Sequence, residues 1–366
     1  MGHSITRPRG LAYEPRMAGV ESLRHRHLLR CAALGATRTV CTSRAEIRGK
    51  HNGGGSAGSL ESVREAYERD GFVVARGVLD PDLVGEMATH VDFLRRRFPS
   101  IPPEHYHHHI MRNDPFWVRV CADPRLLDLA ASVVPFLESG APMALFSSHY
   151  FCKLPRTGMP VLWHQDGSYW PLRPMNVVTL WVAVDRSWRG NGCLKVVRGS
   201  HRGSLRELQD AKDADESGRR NVLGSATHTD ADIDEEDVVL LELEPGDVSI
   251  HHPNIVHASD ANTSADRRCG LTVRYISPST QCTDPEQPVM LLRGEPDHRV
   301  ANAYRSWPRY RAGYDMPFSG CDAWNARRDV QASDEAYFQR TDFAQMEAEI
   351  EAQVLGFVDA LGGRQQ

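Results

Sequence analysis

A few residues in this 366-residue chain have the types and spacing to hold a metal. His164 and Asp166 form a His-x-Asp pair inside Trp163-His164-Gln165-Asp166-Gly167. On an extended strand, residues i and i+2 point the same way, so the imidazole and the carboxylate would converge. They would supply two thirds of a 2-His-1-carboxylate set, which binds non-haem Fe(II) and leaves positions open for chemistry. The remaining histidine must come from a distant strand. The stretch Ser249 to Ser259 offers His251, His252 and His257, and spacing alone does not choose among them. Arg268 follows, on a strand where Arg268, Gly270, Thr272 and Arg274 share one face. An inward arginine beside a metal can clamp a carboxylate through two parallel hydrogen bonds, as an α-keto acid requires.

These residues need a scaffold of strands. Runs at 143–152, 161–164, 177–185, 193–197, 238–243, 248–252 and 271–276 are apolar or alternating, and each is bounded by Gly, Pro, Asn or Asp. Many short strands with such punctuation indicate a sandwich, jelly roll or barrel. Helices are expected from Leu60 to Asp70, from Asp80-Pro81 to about Phe98, from Asp123-Pro124 to Val134, and over 338–361. The polar stretch 205–237 reads as a surface loop or an active-site lid.

Bulk properties narrow the function classes. The net charge of -5 gives no reason to expect a nucleic-acid or membrane partner. The apolar runs are too short for a membrane-spanning helix. Eight scattered cysteines, with no Cys-x-x-Cys pair, read as reduced thiols in a cytoplasmic protein. Residues 1–59 hold nine Arg and one Lys against three Glu, a net +7 that leaves -12 for the rest. The segment ends in a Gly-rich run, and it reads as a disordered basic extension with some likeness to a transit peptide. Residues 60–366 are then expected to form one domain with a helical C-terminal region.

Several motifs in order resemble the phytanoyl-CoA dioxygenase family of Fe(II)/2-oxoglutarate-dependent oxygenases. They are Asp70-Gly71-Phe72-Val73-Val74, His164-Gln165-Asp166, Tyr169-Trp170-Pro171-Leu172-Arg173-Pro174, the run from Gly190 to Leu205, and Pro245-Gly246-Asp247 through His257-Ala258-Ser259 to Arg268. The likeness extends from about Leu60 to about Pro278. It implies a mainly β, double-stranded β-helix (a cupin-like jelly roll) with flanking helices. It implies His164, Asp166 and His257 as iron ligands, and Arg268 with Ser259 on the far carboxylate of 2-oxoglutarate. Lys153 and Trp181 match family positions near that cosubstrate. The stretch His257-Ala258-Ser259-Asp260 departs from the family, which usually has small or Gly residues around the serine, and this could shape the substrate side. The implied reaction couples conversion of 2-oxoglutarate and O2 to succinate and CO2 with oxidation of an unactivated C–H. Related halogenases lack the carboxylate ligand, so Asp166 favours hydroxylation or another oxidation.

Other readings stay open from sequence. The same site could catalyse desaturation, epimerisation or cyclisation, or the fold could be a non-catalytic binding or sensor protein. Tyr169, Trp170 and Arg173 either pack beneath the site or touch a small-molecule substrate such as a natural product. His251 and His252 read as groups that orient ligands rather than bind metal. The cluster His105-Tyr106-His107-His108-His109 reads as a polar loop, one that could face the substrate opening. The arginines between 282 and 324 read as a solvated face that could serve an anionic substrate.

Overall fold

The structure, a computed structural model, describes residues 46–48, 60–211, 220–331 and 342–362. The basic extension lies outside the described residues except for Glu46–Arg48, a strand that pairs in parallel with Phe72–Arg76.

Helices and strands follow the local signals closely. Helix α1 is Leu60–Asp70 and leads into strand β1, Phe72–Arg76. Helix α2, Pro81–Arg97, starts at Asp80, whose carboxylate accepts from the Leu83 N–H at 2.9 Å. Its buried stripe of Leu83, Val84, Met87, Val91 and Leu94 has helical spacing. Pro115–Cys121 forms α3 and Pro124–Val133 forms α4, each opened by an Asp cap and a proline. The C-terminal helix α5 is Phe343–Gly362.

The remaining strands are β2 (Met143–Lys153), β3 (Val161–Gln165), β4 (Val177–Ala183), β5 (Leu194–Val197), β6 (Val238–Leu241), β7 (Val248–His251), β8 (Val256–Ser259), β9 (Arg268–Ile276) and β10 (Met290–Arg293). They build two sheets. The larger runs Glu46–Arg48, β1, β7, β4, β9, β2, β10, and the smaller runs β6, β5, β8, β3. Apart from the Glu46–Arg48 pair, all these ladders are antiparallel.

Two apolar layers hold the arrangement. Phe72, Val74 and Trp181 of the large sheet pack against Leu194, Val196, Val239 and Leu241 of the small one. On the other face of the large sheet, Val73, Leu180, Val182, Ile250, Leu271 and Val273 pack with the buried stripes of α1, α2, α3 and α4. Strand β9 is buried along its whole length because both of its faces are covered. The fold is therefore a jelly roll backed by helices, as expected.

The cysteines differ from expectation. Cys152 and Cys269 face each other across β2 and β9 with a Cα–Cα distance of 4.1 Å, and they form a disulfide. A separation of 117 residues gives no framework spacing to read in a sequence, so only the strand register reveals the pair. Cys121, Cys193, Cys282 and Cys321 are free.

Candidate active site

Strand β3 carries His164 at the inner face of the small sheet. Its register partner on β8 is His257, so the two imidazoles are cross-strand neighbours with ring centroids 4.0 Å apart. β3 ends at Gln165, and Asp166 opens a short 3-10 turn, Asp166–Tyr169. The carboxylate still converges with the imidazoles. Its Oδ1 lies 3.6 Å from His164 Nε2 and 3.9 Å from His257 Nε2. One donor atom from each of the three residues lies within 4.8 Å of the others, and all three residues are buried.

The tautomers suit a metal. His164 Nδ1 contacts the Leu162 carbonyl at 2.8 Å, and His257 Nδ1 contacts the Ile255 carbonyl at 3.0 Å. A carbonyl can only accept, so each Nδ1 carries the proton and each Nε2 presents a lone pair. Burial pushes His257 well below the ordinary histidine pKa, and nearby His164 adds to that shift. Burial opposes the charge on Asp166, but Arg274 and the adjacent imidazoles hold its pKa well below the usual carboxylate range. Two imidazoles and one carboxylate match the donor set of a 2-His-1-carboxylate metal site.

The loop bearing these groups is braced by Gln165. Its amide donates to the Asn254 carbonyl at 2.8 Å and to the Ser204 carbonyl at 3.3 Å, and its oxygen accepts from the Arg206 N–H at 3.0 Å. The described part of the 205–237 insert thereby lies along β3. Thr227 N–H also donates to the Trp163 carbonyl, and Tyr169 donates its hydroxyl to the Ser225 carbonyl.

A cavity of about 410 Å³, counting the space at its mouth, opens beside the three residues. Trp181, His251, Ser259, Arg268, Thr272 and Arg274 contribute to its walls. Arg268 is 1% exposed, and its Nε has no hydrogen-bond partner among the described residues. The guanidinium lies 4.7 Å from the Trp181 ring centroid. Burial lowers its pKa to about 10, which leaves it charged at neutral pH. A buried, partly unpartnered guanidinium facing a cavity is a seat for an anion. Gly270 makes room for this arrangement, because a Cβ there would collide with the Trp181 indole.

Lys153 sits one layer behind. It is the register partner of Arg268, and its amine donates to Ser259 Oγ at 2.7 Å, the Ser259 carbonyl at 3.1 Å and the Asp260 carbonyl at 2.5 Å. Burial first, and Arg268 second, hold its pKa well below the ordinary lysine value. As an acceptor from Lys153, Ser259 keeps its own O–H free to donate elsewhere.

Of the candidate substrate residues, Tyr169 stands edge-on to His164 with ring centroids 6.0 Å apart. Trp170 lies beneath the Arg274 guanidinium at 5.1 Å. Arg173 is exposed and is not part of the cavity wall. His251 faces Asp166, with Nε2 3.9 Å from Oδ2, whereas His252 turns away and its Nδ1 accepts from the Asn254 N–H. The sequence reading did not single out Thr179 or Arg274, whose polar ends lie 3.3 Å and 3.4 Å from Asp166 Oδ2. Arg274 was visible as a residue sharing a face with Arg268, but its target was not.

Two expectations need correction. His105 to His108 are buried rather than a polar loop, and the His107, His108 and His109 rings pack around Phe357 of α5. The arginines between 282 and 324 are largely partnered rather than a free basic face. Arg293 pairs with Asp128, Arg299 with Asp297 and Arg311 with Asp315, and Arg305 donates to Asn113.

A jelly roll with two histidines, a carboxylate and an inward arginine at one cavity has the make-up of a mononuclear non-haem metal oxygenase. The phytanoyl-CoA dioxygenase (PhyH) profile matches residues 67–270, more than half of the chain. The chain belongs to that family, which is one of Fe(II)/2-oxoglutarate-dependent oxygenases. It is 33% identical over 163 residues to the peroxisomal phytanoyl-CoA dioxygenase of Mus musculus, 44% of either chain. It is 31% identical over 123 residues to a probable alpha-ketoglutarate-dependent hypophosphite dioxygenase of Stutzerimonas stutzeri, 34% of this chain and 42% of that protein. The match thus spans less than half of each relative. The apo structure of the non-haem monooxygenase ThoJ superposes with a TM-score of 0.57 at 21% identity, over 81% of this chain and 99% of that one. At that identity the likeness speaks for the fold. Among the described residues no helix is long and apolar enough to cross a membrane.

Proposed function

We propose that the protein is an Fe(II)/2-oxoglutarate-dependent oxygenase acting on a small organic molecule. The observation that supports this most directly is the buried, partly unpartnered Arg268 beside the His164, Asp166 and His257 donor set, in one cavity. The donor set fits iron, and the unmatched guanidinium fits the far carboxylate of 2-oxoglutarate. Bound iron supplies the coupled chemistry that turns 2-oxoglutarate and O2 into succinate and CO2 while oxidising a C–H bond.

The chain's own residues do the positioning. His164, Asp166 and His257 hold the metal, with both imidazoles aimed by the carbonyls of Leu162 and Ile255. Arg268 clamps the cosubstrate, and the Ser259 O–H, released for donation by Lys153, supplies a second contact. Trp181 walls the cosubstrate from water. Tyr169 and Trp170 border the substrate side, where Arg173 stands further out. Hydroxylation is the proposed outcome; desaturation, epimerisation and cyclisation would use the same residues and are separated by product analysis. A cytoplasmic location is also proposed. The Cys152–Cys269 bond weighs against it, because a reducing compartment keeps thiols free, and the bond found intact in the protein isolated from cells would overturn it. Non-reducing mass spectrometry of the protein isolated from cells reads their state.

The direct test is succinate formation by the Fe(II)-loaded protein given 2-oxoglutarate and O2, beside Asp166→Ala. Succinate from the parent and none from the variant supports the oxygenase. If the Fe(II)-loaded protein neither forms succinate nor binds 2-oxoglutarate, a binding or sensor role takes its place.

A further inference from the structure

The two oxygens of Asp166 keep different company. Oδ1 faces the Nε2 atoms of His164 and His257. Oδ2 faces away from them, with Thr179 Oγ1 donating at 3.3 Å, Arg274 Nη2 donating at 3.4 Å and His251 Nε2 at 3.9 Å. These groups are not a chance gathering. His251 on β7 and Arg274 on β9 are both register partners of Thr179 on β4. Three adjacent strands of the large sheet therefore present them at one level, opposite a carboxylate that comes from the small sheet.

Arg274 is itself fixed. It is 8% exposed, its Nη1 donates to Thr272 Oγ1 at 3.1 Å, and its guanidinium covers the Trp170 ring. A planar fork held on one side by a hydroxyl and across its face by an indole has little freedom to leave Oδ2.

We propose that Arg274, with Thr179, is a positioning residue that restricts Asp166 to one-oxygen ligation of the metal. The inference rests on the proposed metal site and adds to it a reason for its open positions. An unrestrained carboxylate can bind a divalent ion through both oxygens. The second oxygen would then take a position that a chelating cosubstrate needs. With Oδ2 engaged by two donors, only Oδ1 is left to face the imidazole nitrogens. The Trp170 contact extends the same restraint to the turn that carries Asp166 and Tyr169.

The test uses Co(II) as the probe, in the full chain, with affinity and visible absorption read with and without 2-oxoglutarate. Arg274→Met is expected to weaken Co(II) binding by roughly 10- to 100-fold, as loss of an outer partner of a ligand does. It should also change the Co(II) spectrum and raise the 2-oxoglutarate concentration needed to perturb it. Arg274→Lys should recover part of the affinity, and Thr179→Val should show the same spectral change more weakly. In Asp166→Ala, added formate should restore Co(II) binding while Arg274 is present and fail in Asp166→Ala/Arg274→Met. If the parent protein binds no Co(II), the metal-site reading itself fails. If the parent binds and loses binding in Asp166→Ala, while Arg274→Met and Thr179→Val match the parent spectrum, the positioning role is overturned and the site stands. If Arg274→Met does not fold, Thr179→Val decides. A spectral change in His251→Ala without one in Thr179→Val would make His251 the controlling group and overturn the proposal.

Discussion

Among the described residues, two groups of three bring possible ligand atoms within 4.8 Å of one another: His164, Asp166 and His257, and His107, His108 and His109. Distance alone does not separate them. The first group contains a carboxylate, so a dication would meet a partly compensating charge. Its Nδ1 protons are engaged by carbonyls, and its free donor atoms face a cavity. The second group has three imidazoles and no carboxylate, and Arg112 is close enough to depress the pKa of His108 and His109 further. Its rings pack on Phe357 with centroids 4.5–5.9 Å away. A dication there would be desolvated beside another cation, which is costly without a counter-charge. The comparison teaches that converging imidazoles make a metal site only when charge balance and open space come with them. Without these, they pack α5 against the body of the protein.

The largest effect is expected from the first group. Asp166→Ala should lower metal affinity and succinate formation by more than about 100-fold, since outer partners alone are worth 10- to 100-fold. Metal content by mass spectrometry should fall from one ion per chain to none. One ion retained by Asp166→Ala but lost on adding His108→Ala would break the comparison. Next comes Arg268→Met. Removing one partner of a buried charged contact costs about 2–5 kcal/mol, so the KM for 2-oxoglutarate should rise on the order of 30-fold or more. Metal content should stay at one. A smaller effect is expected at the second group. His108→Ala opens a buried site against Phe357 and should destabilise by about 1–3 kcal/mol in chemical denaturation. Its metal content and its KM for 2-oxoglutarate should match the parent.

The same contrast shows what could be read in the sequence. His164-x-Asp166, the choice of region for the second histidine and the arginine eleven residues beyond His257 are local patterns, and they survive into the geometry. The helices were legible because Asp80-Pro81 and Asp123-Pro124 mark their starts. What sequence could not supply is whatever depends on register between distant strands. Thr179 meets Arg274 and His251 only because β4 lies between β7 and β9. Cys152 meets Cys269, and Lys153 turns to Ser259, for the same reason. Residues 105–109 were misread because polarity was taken for exposure. Their burial depends on β2, where His149 Nε2 donates to the Glu104 carbonyl and its ring stands against His107, and on α5, more than 200 residues away.

The last expected effect is in the pH dependence of stability, read through the second group. Burial lowers His105 and His109 to about 4 from an ordinary 6.5. Above about pH 6.5 these groups are neutral in both folded and unfolded chains, so they add no slope. Between 6.5 and 4 the unfolded chain takes up protons that the folded chain refuses, so stability falls as the pH drops. Below about 4 both forms are protonated and the loss levels off. Thermal melts from pH 7.5 to 4.5 should show this decline, and His109→Gln should make it shallower. The decline should persist in Asp166→Ala with Zn(II) present, because no ion is expected at His107, His108 and His109 to compete with protons. If Zn(II) flattens it in that variant, the three histidines bind metal despite their uncompensated surroundings, and packing is not their only role.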